Sequence, residues 1–195
     1  MTDLLLLQAS PHVHGVGDLV FETISQALPP NLTTKTLFLR TAKIEPCSGC
    51  RLCDRPPHTC HLDFDQAAMI LEDIVLARLV LFSAPIYFYH LPAQAKALID
   101  RSQCFWIRKN QKQSKITSLK KRTLVVLTAA RSQGQFLFQG ALLTLKYFFE
   151  ALDREIIDTC LLSGLETRAD LAANKPMLSK LQTFLTKHLD ILQQT

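Results

Sequence analysis

The sequence predicts a three-layer α/β sandwich, a five-stranded parallel sheet of strand order 2-1-3-4-5 with helices on both faces. Two observations carry this. Short apolar runs recur at 3–9, 34–40, 79–82, 122–128 and 155–162, and helical stretches separate them, the alternation that right-handed crossovers between parallel strands produce. The runs Leu4-Leu5-Leu6-Leu7, Leu79-Val80-Leu81-Phe82 and Leu124-Val125-Val126-Leu127 are apolar without alternation, as strands buried on both faces are.

Taken in order, the first strand ends at Ser10-Pro11 and gives way to a loop of small residues and histidines, His12-Val13-His14-Gly15-Val16-Gly17. A helix follows, with Leu19, Val20, Ile24 and Leu28 on its inner face, and Pro29-Pro30 stops it. Strand, small-residue loop and helix together aim free backbone N–H groups at an anion, which makes 10–17 a candidate phosphate site. The loop is neither a G-x-G-x-x-G fingerprint nor a P-loop, so a plain connecting turn is the competing reading. The second strand, 34–40, alternates, with Leu37 and Leu39 on one face, and it leads into a cysteine-rich insertion at 46–62. Residues 64–77 form an amphipathic helix with Asp63 as its expected N-cap.

The third strand runs into Ser83-Ala84-Pro85-Ile86-Tyr87-Phe88-Tyr89-His90. Three consecutive aromatics at the end of a central strand cannot all face inward, so this loop is a candidate wall for a planar ligand. A helix over 93–106 comes next. After the fourth strand, the loop 129–139 precedes a helix over 141–152 whose core face is Leu142, Leu145, Phe148, Phe149 and Leu152, with Tyr147 read as core. The fifth strand ends at Ser163-Gly164. A polar linker, 166–175, leads to Pro176, which opens a last helix in which Leu178, Leu181, Leu185, Leu189 and Ile191 recur. In such sheets the ligand lies beyond the carboxyl ends of the strands where their order reverses, here at the loops after strands one, three and four.

The insertion carries Cys47, Cys50 and Cys53, with Cys60 beyond Pro56-Pro57. Three thiols within seven residues resemble cluster ligation more than the paired knuckles of zinc sites. A 4Fe-4S centre is therefore favoured, with zinc and free thiols shaping a loop left open. His58 is a minor candidate for replacing a sulfur. Cys104 and Cys160 lie on core elements as buried thiols, His14 and His90 near loops, and His61 and His188 in solvent.

Composition sets outer bounds. The chain's 195 residues, 48% hydrophobic and 20% charged, fit a single domain, 1–195, of ordinary globular character. The apolar start is short and lacks a basic flank, and no apolar run reaches membrane-spanning length, so the expectation is a cytoplasmic protein without a membrane segment. Six cysteines without an export signal point to ligand chemistry rather than disulfides. Of the net charge of +5, much falls on Arg101, Arg108, Lys109, Lys112, Lys115, Lys120, Lys121 and Arg122. That run reads as a solvated loop or a surface for an acidic partner. Nucleic acid is not expected, since only Phe105 and Trp106 offer stacking there. No Ser-His-Asp or paired-carboxylate constellation is evident, and no catalytic side chain is assigned.

Three stretches give the chain a family likeness. Ser10-Pro11-x-x-x-Gly15 is similar to the phosphate loop S-P-R-x-x-G-N-[ST], Cys47 to Cys60 to the segment P-C-x-G-C-x-x-C-x(n)-C, and Ala84-Pro85-Ile86-Tyr87 through Lys96 and Asp100-Arg101 to the motif S-P-[VI]-Y and its helix. The chain thus resembles the flavodoxin-like NAD(P)H-dependent FMN reductases, and within them the iron-sulfur flavoproteins. The resemblance implies an FMN phosphate held at Ser10, His12, Gly15, Val16 and Gly17. It implies an isoalloxazine ring lined by Pro85, Ile86, Tyr87, Phe88, Tyr89, Thr128 and Ala129, and a 4Fe-4S cluster on Cys47, Cys50, Cys53 and Cys60. It further implies NAD(P)H or a ferredoxin-like carrier as redox partner. The cysteine loop and the basic segment are suited to covering a neighbour's flavin, from which a homodimer or homotetramer is expected. His12, Val16 and Gly17 stand where the family has Arg, Asn and Ser or Thr, so FMN binding is expected to be weakened and pH-sensitive. Two alternatives remain: a flavin or quinone reductase without a cluster, and a cofactor-poor flavodoxin-like binding protein.

Overall fold

The computed structural model describes residues 2–111, 121–189 and 192. Strand β1 (Leu4–Gln8), an inner strand of the sheet, is buried along its whole length. It pairs in parallel with β2 (Thr34–Phe38) on one side and β3 (Leu79–Pro85) on the other. Strands β4 (Lys121–Ala129) and β5 (Arg154–Ser163) complete the order β2-β1-β3-β4-β5, all pairs parallel.

Side chains alternate across the sheet and build two cores. Leu4, Leu6, Leu79, Leu81, Leu124 and Val126 face the helices α1 (Val16–Gln26), α6 (Arg168–Ala173) and α7 (Lys175–Thr186), meeting Val20, Ile24, Leu181 and Leu185. Leu5, Leu7, Val80, Phe82, Val125 and Leu127 face the other layer, α2 (Ala67–Leu76), α3 (Ala93–Arg101), α4 (Gln103–Asn110) and α5 (Gln139–Ala151), meeting Ile70, Ile74, Leu98, Leu145 and Phe149. Apolar residues therefore occupy both faces of β1, β3 and β4, which is why those strands show no alternation. The register leaves the loops at the carboxyl ends level with one another: Gln8 lies beside Ser83, Pro85 beside Thr128 and Ala129 beside Ser163.

Several local expectations are corrected. The second strand ends at Phe38, and Leu39 is buried in a single helical turn (Leu39–Thr41). The helix expected from 64 begins at Ala67 with Gln66, not Asp63, at its N-cap position; the Asp65 carboxylate just before it accepts from the Ala67 amide at 3.0 Å. The helix expected over 93–106 is two helices hinged at Ser102, whose hydroxyl donates to the Ile99 carbonyl at 2.7 Å and competes with helix continuation. The stretch read as a linker holds α6, opened by a capping box in which Thr167 and Asp170 exchange side-chain and backbone bonds. Tyr147 is 52% exposed, so it is not core. His188 is not solvated: its Nε2 lies 2.9 Å from Asp158. Ile191 lies outside the described residues.

The basic segment is not one solvated face either. Arg101 is buried, Lys109 pairs with Asp153 at 3.1 Å, Arg108 stacks over the Phe105 ring at 4.2 Å, and Lys121 donates to the carbonyls of Val75 and Leu76 at the end of α2. Lys112, Lys115 and Lys120 lie outside the described residues. No helix among the described residues is long and apolar enough to cross a membrane.

Candidate functional site

At the carboxyl rim the chain leaves β1 for β2 on one side and returns to β3 on the other, and the loops diverge there. The result is a cavity of about 440 Å³ lined by Ser10, His12, Gly15, Val16, Gly17, Pro85, Ile86, Tyr87, Thr128, Ala129 and the 165–168 turn. That is within the size range of pockets that enclose small cofactors. Ten of the twelve residues proposed from sequence for the flavin therefore border one space.

The loop after β1 is held from beneath by buried polar groups. Asp18, in the first turn of α1, accepts from Gln8 Nε2 at 2.7 Å, from the His14 amide at 2.6 Å and from Arg40 at 2.9 Å, and Arg40 also bonds the Gln8 amide oxygen. Burial alone would raise the Asp18 carboxyl, but the hydrogen bonds from Gln8, His14 and Arg40 outweigh it and hold the group below the usual carboxylate range. Asp18 is thus a fixed anion that shapes the loop, with His14 at φ 58°. Ser10 is 4% exposed, and its hydroxyl oxygen accepts from the His12 amide at 3.3 Å. Gly17 is needed for close approach: a methyl group there would stand 3.0 Å from the Cβ of Ser10. The amides of Val16 and Gly17, first in α1, have no backbone acceptor among the described residues, which leaves them for an anion in the cavity.

The opposite wall is apolar. Pro85 and Ile86 continue β3, with the Ile86 amide bonded to the Thr128 carbonyl at 2.7 Å. Tyr87 meets His12 edge-on at 6.4 Å between ring centroids, and burial pushes its phenol up from the ordinary value. Phe88 and Tyr89 do not line the cavity. They are the central pair of a tight turn closed by two bonds between Tyr87 and His90, each 2.9 Å, and both have positive φ, 50° and 64°. Such a turn ordinarily uses Asn and Gly, and bulky residues there carry backbone strain. Phe88 is thrown fully into solvent, and Tyr89 packs over the 131–140 segment, its hydroxyl 3.3 Å from Arg131. His90, half-buried, lies 3.0 Å from the Thr144 hydroxyl.

The second region is the insertion. Cys47, Cys50, Cys53 and Cys60 border one recess together with His61, Arg101 and the buried Cys104. Cys47 and Cys50 are exposed and Cys53 and Cys60 half-buried; the Cys50 sulfur lies 3.4 Å from His61 Nδ1. Burial raises the Cys53 and Cys104 thiols. Among the described residues no three His, Cys, Asp or Glu side chains converge on a point where a single ion would sit. The donors are soft and cysteinyl, the set that iron-sulfur clusters use. His58 is 2% exposed, its Nδ1 3.0 Å from the Cys53 carbonyl and its Nε2 without a partner among the described residues. Its backbone is left-handed, φ 59°.

Sequence reasoning missed Arg101, the floor of this recess. Its side chain is 1% exposed. It donates from Nε to the Cys60 sulfur at 3.2 Å, from Nη1 to the Glu45 carbonyl at 2.9 Å and to Asp65 at 2.5 Å, and from Nη2 to the Leu62 carbonyl. A single cation thus gathers both ends of the insertion onto the end of α3, the helix that starts just past the aromatic turn. The missed signal is Asp65, the acid that answers the family motif's Asp-Arg pair from another element.

Fold and cavity together define a flavodoxin-like α/β protein with room for a flat ligand over the carboxyl rim of its sheet. The family model for NADPH-dependent FMN reductase matches residues 2–154, and the chain belongs to that family. It is similar to an iron-sulfur flavoprotein of Methanosarcina thermophila, 38% identical over 69 residues, which are 35% of each chain. An iron-sulfur flavoprotein of Methanocaldococcus jannaschii is 29% identical over 98 residues, 50% of each chain. The chain's matches therefore span between about a third and half the length of these relatives. A FMN-dependent NADH-azoreductase of Bacillus anthracis, solved in complex with FMN, superposes with a TM-score of 0.63 at 12% identity, over 94% of this chain and 98% of that one.

Proposed function

We propose that the chain is an FMN-dependent oxidoreductase that passes electrons between NAD(P)H, or a ferredoxin-like carrier, and an acceptor, with a 4Fe-4S cluster on Cys47, Cys50, Cys53 and Cys60. Bound FMN supplies hydride acceptance and one-electron release, and a cluster supplies one-electron transfer. The observation that carries the reading is the cavity itself: helix-start amides at its Ser10 end and an apolar Pro85-Ile86-Tyr87 wall at the other fit a molecule with a phosphate and a flat ring.

The protein's own part is binding and shielding. Ser10 and the amides of Val16 and Gly17 receive the phosphate, and Asp18 and Arg40 fix the loop that presents them. Pro85, Ile86 and Tyr87 cover one side of the ring, with Thr128 and Ala129 at its edge. Phe88 and Tyr89, turned away, drop out of the proposed ring contacts. In the recess, Arg101 places an N–H against the Cys60 sulfur at 3.2 Å. The four thiols border one recess and offer the soft donor set that an iron-sulfur cluster uses. Assembly as a dimer or tetramer belongs to the same proposal, with Trp106 of α4 and Tyr147 of α5 both presented at the surface.

An absorption spectrum of anaerobically purified protein tests the reading. Flavin bands with a broad iron-sulfur shoulder are expected, and Cys50→Ala should remove the shoulder while leaving the flavin bands. Flavin bands unaccompanied by a shoulder in the unaltered protein would select a cluster-free flavin or quinone reductase. A colourless protein that takes up no FMN would overturn both.

A further inference from the structure

The FMN cavity has a phosphate end without the cation its loop would ordinarily carry, and the structure offers a replacement from the far end of the chain. Among the described residues that border the cavity, Arg168 is the only arginine or lysine. It stands at the start of α6, after β5, where the sequence suggested only a linker. Its guanidinium is 38% exposed and grips Glu22 of α1 with two bonds, Nη1 at 2.9 Å and Nη2 at 2.5 Å. Asp18 and Glu22 are four residues apart and share one side of α1. Asp18 also contributes to the charge that Arg168 feels, which places Arg168 within electrostatic reach of the first turn of that helix.

A phosphate seated at the start of α1 would face the Asp18 carboxylate. Arg40 neutralises Asp18 but does not border the cavity. Of the two histidines on the loop itself, His12 and His14, only His12 borders the cavity. A dianion in that position needs a permanent positive charge, and arginine gives it in the forked geometry that phosphate oxygens match. We propose that Arg168 is the phosphate-recognition residue of this chain, moving from Glu22 to the FMN 5′-phosphate and standing in for the arginine absent at His12. The proposal rests on the FMN reading above and deepens it. The Glu22 pair that Arg168 gives up is exposed and screened by solvent, so it is worth little and the exchange is not opposed by the fold.

The test compares FMN with riboflavin, which has the same ring and no phosphate, by flavin fluorescence quenching on the full chain stripped of flavin. The wild type is expected to bind FMN more tightly than riboflavin. Arg168→Gln should weaken FMN roughly tenfold or more, the value of a charged hydrogen bond to phosphate, and leave riboflavin unchanged. Glu22→Gln, which frees Arg168, should leave FMN binding as tight or tighter. If Arg168→Gln keeps the FMN-to-riboflavin ratio, or Glu22→Gln weakens FMN as much as Arg168→Gln does, the proposal fails while the FMN reading stands. A loss confined to the preference for NADPH over NADH would assign Arg168 to the nucleotide's 2′-phosphate and overturn the proposal. A wild type that binds neither flavin would overturn the FMN reading itself.

Discussion

Replacing Arg101 by Met is expected to lower the unfolding free energy by about 3 to 5 kcal/mol, the cost of breaking a buried ion pair by removing one partner. Methionine fills much of the same space, so the loss would come from unmet polar groups. Asp65 would keep the Ala67 and Glu45 amides, at 3.0 and 2.8 Å, but lose the cation that balances its charge at 3% exposure. The carbonyls of Glu45 and Leu62 would lose their donor as well. Urea denaturation measures this as a large fall in midpoint with little change in slope. The same substitution removes the N–H from the Cys60 sulfur, so iron content after reconstitution should fall with it.

The pH dependence of this effect has a definite sign. Burial on its own raises the Asp65 carboxyl; hydrogen bonds from Arg101 and from the Glu45 and Ala67 amides more than offset it and hold the group below the usual carboxylate range. A carboxylate with a depressed folded value stabilises the fold above its unfolded value, near pH 4, and loses that contribution as pH falls through the folded value. The stability gap between wild type and Arg101→Met should accordingly be full at neutral pH and narrow as both proteins are taken below about pH 4. A gap that widens on acidification would show that Asp65 is not the partner that matters.

Arg154→Met is expected to be about as damaging, for a different reason. Arg154 opens β5 at 2% exposure and donates to five acceptors: the Thr123 hydroxyl at 3.0 Å, the carbonyls of Ile74 at 2.8 Å, Ala77 at 2.9 Å and Arg78 at 3.4 Å, and that of Arg122. It ties the end of α2 and the chain entering β3 to the start of β4, closing the sheet at the rim opposite the cavity. Burial pulls its pKa down to about 9, so it remains charged at neutral pH. Each hydrogen bond from a charged donor is worth roughly 1.5 to 3 kcal/mol, and two of the carbonyls left behind, those of Ile74 and Ala77, belong to buried residues. A loss of about 4 kcal/mol is a conservative sum, since such bonds are not additive. Arg154→Lys should recover little, because one ammonium with three donors cannot reach acceptors spread over three elements. Since the damage lies far from the carboxyl rim, the folded fraction of either variant should bind FMN as the wild type does.

What the sequence disclosed, and what it hid, follows from how each element is stabilised. β1, β3 and β4 were legible because burial on both faces leaves an uninterrupted apolar run, and α1 and α5 because one face meets the core at helical spacing. The two clusters of site residues were legible as loops at strand ends and as closely spaced thiols. Arg101 was not, since its burial depends on Asp65 and on carbonyls far along the chain. Arg154 was hidden in the same way, by acceptors 31 to 80 residues distant. The break at Ser102 carries no proline or glycine. The outward turn at Phe88 and Tyr89 lacks the Asn-Gly pair that would announce it, so three aromatics that read as one wall divide between a cavity and the surface. Arg168 escaped notice because α6 is six residues long and its functional meaning lies in which cavity it borders.

The central claim is that a flavin occupies the space between the Ser10 turn and the Pro85 turn. A crystal structure of the chain grown with FMN reads this directly. The account predicts the phosphate within hydrogen-bonding distance of Ser10 and the amides at Val16 and Gly17, with the ring against Ile86 and Tyr87. FMN bound anywhere else, with this cavity left to solvent, would contradict it.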